Sequence, residues 1–430
     1  MTATPHVQAG TASSLLEAYR EVRAQSVALI NGLSDADCTA QSMDDASPAK
    51  WHLAHTTWFF EEFVLCGAFG QSERFDPKFQ YLFNSYYDAV GARHARPERG
   101  LLTRPTLGTI LDYRANVDTR MADVLSDIGW GTELYALIEL GLHHEQQHQE
   151  LLLTDLLHLF SRNPIKSSYS VGYEKSTSST APLTWSDFDN PGIVQIGHDG
   201  DGFAFDCEGP RHEVLLRSFA LANRAVTNGE WLQFIDAGGY QTPTYWLSDG
   251  WACAQERGWF APLYWEKSDD GWSTMTLQGW QPVDPSAPVC HVSHYEANAF
   301  ASWATDHLEG CEGARLPLES EWEYAAQHQP VSGNLIGSEA LRPLKQSGDT
   351  LSDLFGDVWE WTASAFKPYP GFRPAKGAVG EYNGKFMSGQ SVLRGGSCVT
   401  PEGHIRATYR NFFHPDKRWQ FSGLRLARDL

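Results

Sequence analysis

The chain has 430 residues, of which 42% are hydrophobic and 20% charged, and this length is ample for two globular domains of ordinary size. Its formal net charge of -20 disfavours nucleic acid and anionic membrane surfaces as partners, because both would repel an acidic protein. The absence of a basic segment followed by an apolar run at the N-terminus, together with seven scattered cysteines that form no C-x-x-C pair, predicts a cytoplasmic protein that does not enter membranes.

Helical periodicity dominates residues 1–165. Leu15, Tyr19 and Val22 recur at helix spacing near the start of this region, and apolar residues continue at that spacing toward its end. The pattern predicts a small helix bundle. Residues 161–190 are rich in Ser, Thr and Pro and have no periodicity, which is typical of a linker, and we place the linker at residues 166–190.

Residues 191–430 have a different character. Gly, Trp and Pro are frequent and apolar runs are short, while long periodic stretches occur around His294–Leu308 and Glu319–His328. This mixture predicts a loop-rich α+β domain.

A pair of histidines in the first region has the spacing of a metal site. His144 and His148 are four residues apart on a predicted helix, so their side chains rise from the same face and can meet at one ion. Their stripe continues through Gly141 and Asp155, which directs them into the bundle. The sequence H-E-Q-Q-H also matches the zinc-protease pattern, so a zinc hydrolase with Glu145 as its base is one alternative.

A third ligand is available in the segment WHLAH, where His52 and His55 lie one turn apart. Periodicity does not distinguish them. We favour His55 as the ligand and expect His52 to pack or to form hydrogen bonds, as we do for His143 and His158. The predicted metal ligands are therefore His55, His144 and His148.

These motifs carry a family resemblance. WHLAH and HHEQQHQE resemble the DinB-like iron-binding domain of the ergothioneine-biosynthesis sulfoxide synthases. The later segments VTNGEW, ARLPLESEWEYAA, GDVWEWTAS, VLRGGS and FSGLRLA resemble the formylglycine-generating-enzyme fold, which is C-type-lectin-like. The resemblance implies a DinB-like four-helix bundle over residues 1–165 and a substrate-binding α+β domain over residues 191–430.

The resemblance also implies an activity. Members of the family are oxygen-dependent oxidoreductases that use non-haem ferrous iron, Fe(2+), to join the sulfur of a thiol to hercynine and oxidise it to a sulfoxide. The implied partners are hercynine, O2 and a donor, which is cysteine, γ-glutamylcysteine or, as in selenoneine synthases, a selenosugar. A rival of another class is a non-catalytic binding module, since a fold alone does not fix a function.

Several site residues follow from the resemblance. Tyr86 and Tyr87 look like the tyrosine pair of members that use free cysteine, where a phenol supplies a proton. Gln147 matches a glutamine that contacts hercynine. Arg93 and Arg96 belong to an arginine-rich segment that could clamp substrate carboxylates.

The segment R-N-F-F-H-P aligns with the R-N-W-D-H-P of the family. Asn411 and Phe412 would then contact hercynine, while Phe413 replaces the acidic residue that binds γ-glutamylcysteine, and this favours cysteine as the donor. Tyr382 is expected to pack within the C-terminal fold, although it could be a further phenol near the site. Formylglycine generation itself is disfavoured, because that activity needs two cysteines after R-G-G-S and this chain has Cys398 alone there.

Overall fold

The computed structural model describes residues 12–126, 131–171, 181–345, 351, 353–375 and 378–430. The chain divides into two compact units. The first contains the chain up to Arg162 together with Gly200–Phe205 and Pro374–Tyr382, and the second contains the remainder. Two short segments from the later part of the sequence therefore fold with the helical unit. Of the predicted linker 166–190, residues 172–180 lie outside the described part of the chain.

The first unit is a bundle of helices. Its central helix is buried on every side and packs against two longer helices, which also hold the N-terminal helix. A fully buried helix needs a largely apolar sequence, and AKWHLAHTTWF supplies one through aromatic, aliphatic and small residues, with His52 and His55 among them. The α-helices described in this unit are α1 (Ala12–Ala28), α2 (Ala49–Phe59), α3 (Phe79–Phe83), α4 (Leu107–Ser126) and α5 (Thr132–Arg162).

The end of α2 runs directly into a π-helical turn, Phe60–Ala68. This turn and α2 approach α5 closely at Gly141, where an added Cβ would lie 2.7 Å from the Phe60 ring and 2.9 Å from the Phe59 ring. Only a glycine fits that contact without movement of the rings. The close approach sets the spacing between the two helices that carry the histidines.

The second unit is an α+β domain built from short strands. Its largest described sheet has the order β12-β11-β10-β13, in which β10 and β13 are parallel and the other pairs antiparallel. An antiparallel sheet β1-β4-β14, a meander β5-β6-β7, a hairpin β2-β3 and a parallel pair β8-β9 complete it. The strands are β1 (Trp185–Phe188), β2 (Gly192–Ile196), β3 (His212–Leu216), β4 (Phe219–Ala225), β5 (Trp265–Ser268), β6 (Gly271–Thr276), β7 (Gly279–Pro282), β8 (Gly333–Asn334), β9 (Phe355–Gly356), β10 (Trp359–Ala365), β11 (Ser391–Arg394), β12 (Asn411–Phe413), β13 (Ser422–Gly423) and β14 (Arg425–Asp429).

The second unit contains helices at both stretches where the sequence predicted long periodicity, around His294–Leu308 and Glu319–His328. Two of the four below start with capping boxes, Thr227 with Glu230 and Ser293 with Glu296, in which each side chain bonds the backbone N–H of the other residue. Several tryptophan side chains of this unit are fully buried, namely Trp231, Trp303, Trp322, Trp359 and Trp361. The helices are α6 (Asn228–Asp236), α7 (Ser248–Glu256), α8 (His294–His307) and α9 (Glu319–Ala326).

The predicted fold class, a helix bundle followed by an α+β domain, is thus confirmed. Within the described ranges, no helix combines the length and the apolar character that crossing a bilayer would require.

Candidate metal centre

Three buried histidines converge in the first unit. His55 comes from α2, and His144 and His148 come from adjacent turns of α5. One possible ligand atom from each ring lies within 4.8 Å of the others. The ring centroids are 4.9 Å apart for His55 and His144, and 4.7 Å apart for each remaining pair. His55 and His144 are fully buried, whereas His148 is 8% exposed.

Several ring nitrogens of these histidines are buried without hydrogen-bond partners, which is what a metal-binding site would require. His55 Nδ1 donates to the backbone oxygen of Phe83 at the end of α3, at 2.6 Å. Its Nε2 is buried and meets no hydrogen-bond partner among the described residues, and the same is true of both ring nitrogens of His144. Buried nitrogens without partners are costly and rare, and an unseen ion is one of the few physical explanations for them.

The protonation of the rings also suits a metal. Burial lowers the pKa of His144 to about 3, and burial together with the neighbouring histidines holds the pKa of His55 and of His148 well below the ordinary value. All three imidazoles are therefore neutral at physiological pH, with lone pairs free to coordinate. Three neutral imidazoles are a donor set that suits ferrous iron or zinc, so the residues present fit the metal centre that the sequence predicted.

The ring of His55 is held in place by stacking. The centroid of the Trp51 ring lies 4.7 Å from that of His55, with an interplanar angle of 13°. The Trp58 ring also stacks on His55, with a centroid distance of 5.6 Å and an interplanar angle of 15°. The guanidinium of Arg99 lies 3.4 Å from the centre of the Trp51 ring and donates to Ser47 Oγ at 2.8 Å. This buried arginine lies in the arginine-rich segment of the sequence, where nothing distinguished it from its exposed neighbours.

His52, His143 and His158 pack against neighbours or form hydrogen bonds. His52 Nδ1 lies 2.9 Å from His148 Nδ1, and His52 Nε2 lies 3.1 Å from Asp155 Oδ2. His143 stacks on Phe203 at 3.8 Å, and His158 Nδ1 bonds Ser42 Oγ at 2.7 Å.

Glu145, the glutamate of the H-E-x-x-H pattern, is engaged in a buried ion-pair cluster. Its Oε1 accepts from Arg114 at 2.7 Å and from Ser26 at 2.6 Å, and its Oε2 accepts from Arg23 at 2.9 Å. Burial alone would raise the pKa of Glu145, but the two arginines outweigh it and lower that pKa to about 2. A carboxylate committed to two arginines is a poor general base, so the zinc-hydrolase alternative loses its key residue.

A phenol that the sequence placed elsewhere belongs to this unit. Tyr382 was expected to pack within the C-terminal domain, and this expectation is wrong. The segment Pro374–Tyr382 folds with the helices, which chain position alone does not reveal. The Tyr382 ring lies 5.5 Å from that of His144, and its hydroxyl donates to Oε1 of Gln147.

The predicted tyrosine pair lies in the same unit. The Tyr86 ring is 6.2 Å from that of Tyr382 and 5.5 Å from that of Tyr87. Tyr87 is buried against Trp58 and Phe63. Burial raises the pKa of Tyr86 and raises that of Tyr87 well above the ordinary value, so both phenols keep their protons at neutral pH.

The two predicted carboxylate-binding arginines, Arg93 and Arg96, are exposed, and Arg93 forms an ion pair with Asp88. Their role in substrate binding stays a prediction.

The predicted hercynine and donor contacts of the C-terminal region lie in the second unit. Asn411, Phe412 and Phe413 form the half-buried strand β12. Phe412 stacks on Phe366 with ring centroids 4.0 Å apart, and Phe413 meets Trp419 edge-on at 6.0 Å. Their contact with substrates also stays a prediction.

Comparison with known proteins matches both units. The family model of the DinB superfamily matches residues 18–152, and that of the sulfatase-modifying factor enzyme 1-like domain matches residues 189–343 and 329–430. Hercynine oxygenase of Mycolicibacterium thermoresistibile is 31% identical over 100% of this chain and 96% of its own length. Hercynine oxygenase of Mycobacterium tuberculosis is 30% identical over 95% of this chain and 97% of its own length. Ergothioneine biosynthesis protein 1 of Schizosaccharomyces pombe is 28% identical over 53% of this chain and 28% of its own length.

The fold and the histidine cluster define a class, namely proteins that carry a DinB-type bundle with a three-histidine centre and a sulfatase-modifying-factor-type domain in one chain. Within that class, the near full-length relatives are decisive. The chain belongs to the sulfoxide synthase family of ergothioneine biosynthesis.

Proposed function

We propose that this protein is a non-haem iron, oxygen-dependent oxidoreductase that joins the sulfur of cysteine to an imidazole carbon of hercynine and oxidises that sulfur to a sulfoxide. The observation that carries the proposal is the convergence of three buried, neutral imidazoles in a chain whose near full-length relatives are hercynine oxygenases. In the overall reaction, a C–H bond and an S–H bond are lost, one oxygen atom enters the sulfoxide and the other leaves as water.

The proposed metal ligands are His55, His144 and His148. When bound there, ferrous iron would supply the redox chemistry with O2 and a Lewis acid for the thiolate. The protein contributes neutral donors and a buried position. Because no carboxylate belongs to the ligand set, the positive charge of the ion stays available to stabilise a bound thiolate.

The surroundings of the histidines suit a cationic imidazole substrate. Hercynine carries a trimethylammonium group, which cannot donate strong hydrogen bonds and is best received by aromatic faces. Tyr382 lies near His144, Phe205 stacks on Tyr382 with ring centroids 5.7 Å apart, and Tyr86 adds a third ring. Gln147, which accepts from Tyr382, offers an amide at the same place.

The remaining predicted contacts complete the proposal. Arg93 and Arg96 would bind substrate carboxylates, and Asn411 and Phe412 would contact hercynine. Phe413, in place of an acidic residue, would favour cysteine over γ-glutamylcysteine.

A direct test starts from protein made free of metal and loaded with Fe(II) without oxygen. We expect one iron per chain, and we expect His148→Ala to weaken iron binding by more than about a hundredfold, which exceeds the usual cost of losing a residue that only hydrogen-bonds a ligand. On addition of hercynine, cysteine and O2, the loaded protein should consume oxygen and form the coupled sulfoxide, detected by its mass.

The same assay separates the alternatives. Parallel reactions with γ-glutamylcysteine and with a selenosugar would identify a different donor through a higher turnover. The proposed reaction would be rejected if the protein bound one iron per chain but its oxygen uptake did not depend on both hercynine and a donor. A protein that binds no iron would leave the non-catalytic binding module as the remaining alternative.

A further inference from the structure

A chain of buried side chains leads away from His148. The Nδ1 atom of His148 lies 2.9 Å from Nδ1 of His52, and Nε2 of His52 lies 3.1 Å from Oδ2 of Asp155. The same carboxylate oxygen accepts the backbone N–H of Ser47 at 2.7 Å. His148, His52 and Asp155 are all buried. No assigned role in the proposed reaction uses His52 or Asp155.

The carboxylate at the far end fixes where the protons lie. A carboxylate oxygen accepts hydrogen bonds, as Asp155 Oδ2 does from Ser47, so a neutral His52 ring carries its proton on Nε2 and donates it to Asp155. Its Nδ1 is then an acceptor, and His148 must donate to it from Nδ1. The opposite arrangement would place a lone pair of His52 against the carboxylate at 3.1 Å, which is repulsive.

This arrangement leaves Nε2 of His148 without a proton, and Nε2 is the atom through which that ring can then bind a metal. His55 obtains the same result from a backbone group, because its Nδ1 donates to Phe83 O at 2.6 Å. For His148 the acceptor is a side chain, and its role can therefore be tested by substitution.

We propose that His52 and Asp155 are positioning residues that hold His148 in the tautomer and orientation required for metal binding. Partners of this kind orient a ligating histidine and raise its basicity, and their loss typically weakens metal binding tenfold to a hundredfold. The inference rests on the proposed metal centre but not on the identity of the substrates.

Asp155 has a second task that complicates its own substitution. Its bond to the N–H of Ser47 lies just before the start of α2, the helix that carries His52 and His55. Changing Asp155 would disturb both the helix start and the chain to His148. Substitutions of His52 isolate the proposed role.

Two substitutions of His52 make the test specific. His52→Asn places an amide oxygen near the position of Nδ1 and keeps an acceptor for His148, whereas His52→Phe keeps the ring shape and removes the acceptor. We expect His52→Phe to weaken the binding of Fe(II) and of Co(II) to the metal-free protein by about tenfold to a hundredfold, and His52→Asn to weaken it by less than about tenfold. The matched control is His158→Phe, which removes a histidine of α5 that bonds Ser42 rather than a ligand, and it should leave both affinities near wild type.

A second readout reports the tautomer directly. In protein labelled with 15N-histidine and loaded with Zn(II), we expect the His148 ring to show a proton on Nδ1 and none on Nε2. Circular dichroism of each variant establishes that the helices remain folded.

Each outcome decides the matter. Four results would overturn the positioning role while leaving the metal centre intact. The first two are wild-type affinity in folded His52→Phe and equal weakening in His52→Phe and His158→Phe. The other two are equal weakening in His52→Asn and His52→Phe, and a proton on Nε2 of His148. A wild-type protein that binds none of these metals would overturn the metal centre and this inference together.

Discussion

Buried polar atoms in the helical unit fall into two groups according to their partners. The carboxylate of Glu145 receives three hydrogen bonds, two of them from the buried arginines Arg23 and Arg114. A few ångströms along the same helix, both ring nitrogens of His144 lack partners within the described residues. Both nitrogens of one buried imidazole are therefore without partners beside a well-bonded ion pair, as expected where a metal ion would be the missing partner.

The phenols near this centre can be ranked by substitution. Tyr382→Phe and Tyr86→Phe each remove a hydroxyl from the aromatic group beside His144, and we expect each to lower the rate of sulfoxide formation. A positioned proton donor typically contributes about a hundredfold to ten-thousandfold, and we expect the larger loss at Tyr382, which also bonds Gln147. The measurement is single-turnover product formation in iron-loaded protein.

Tyr87→Phe tests the second phenol of the predicted tyrosine pair. Tyr87 packs between Trp58 and Phe63, so its substitution should change stability more than rate. Iron affinity should stay at the wild-type level in all three variants. Equal rates in Tyr86→Phe, Tyr382→Phe and wild type would exclude both phenols as proton donors.

At the scale of elements, the centre depends on how closely two helices approach. α2 contributes one histidine and α5 two, and Gly141 on α5 lies against the rings of Phe59 and Phe60. Gly141 is one turn before His144 on the same helical stripe. The contact therefore fixes both the distance between the helices and the height at which their histidines meet.

We predict that Gly141→Ala destabilises the protein. The new methyl group would lie 2.7 Å from the Phe60 ring, and overpacking of this kind typically costs about 1–3 kcal/mol. The shift of α5 should also weaken Fe(II) binding. The free energy of unfolding from urea titration and an iron titration measure the two effects.

Gly108→Ala is the control, because Gly108 also lies in a helix but its added methyl would come no nearer than 3.9 Å to the Thr106 hydroxyl. This change should leave iron binding unaltered and stabilise the protein by about 0.4–1 kcal/mol, because alanine restricts the unfolded chain more than glycine does. Equal stability changes in the two variants would contradict the role assigned to the close approach.

At the scale of the whole molecule, the sequence predicted more of the fold than of the site. Periodicity located the bundle, and the spacing of His144 and His148 identified two rings that the structure brings together. The same stripe contains Asp155, seven residues after His148, and in the structure this carboxylate lies 3.1 Å from the His52 ring. Tyr382 could not be found this way, since its place near His144 depends on the tertiary path of Pro374–Tyr382.

The molecule as a whole should lose stability in mild acid. Burial lowers the pKa of His291 and of His294 to about 4, from an ordinary value near 6.5. Between these values the unfolded chain binds more protons than the folded one, so the free energy of unfolding falls as pH falls from 6.5 toward 4. From pH 7.5 to pH 5, His291 alone should account for roughly 2 kcal/mol of that fall.

His291→Asn isolates this contribution. Asparagine tolerates the positive φ of 64° at this position and can still donate to Gln420 O, which the His291 ring bonds at 2.8 Å. Urea titrations at the two pH values should show a smaller acid-induced loss in the variant than in wild type. An unchanged loss would mean that His291 does not remain neutral in the folded protein.

The discontinuous make-up of the helical unit has a practical consequence for engineering. A gene fragment that stops after Arg162 would encode all three candidate ligands but neither Gly200–Phe205 nor Tyr382. Grafting this bundle onto another scaffold would therefore transfer the histidine cluster without some of the aromatic residues beside it. Swaps between relatives must carry three separate stretches of sequence to move the whole unit.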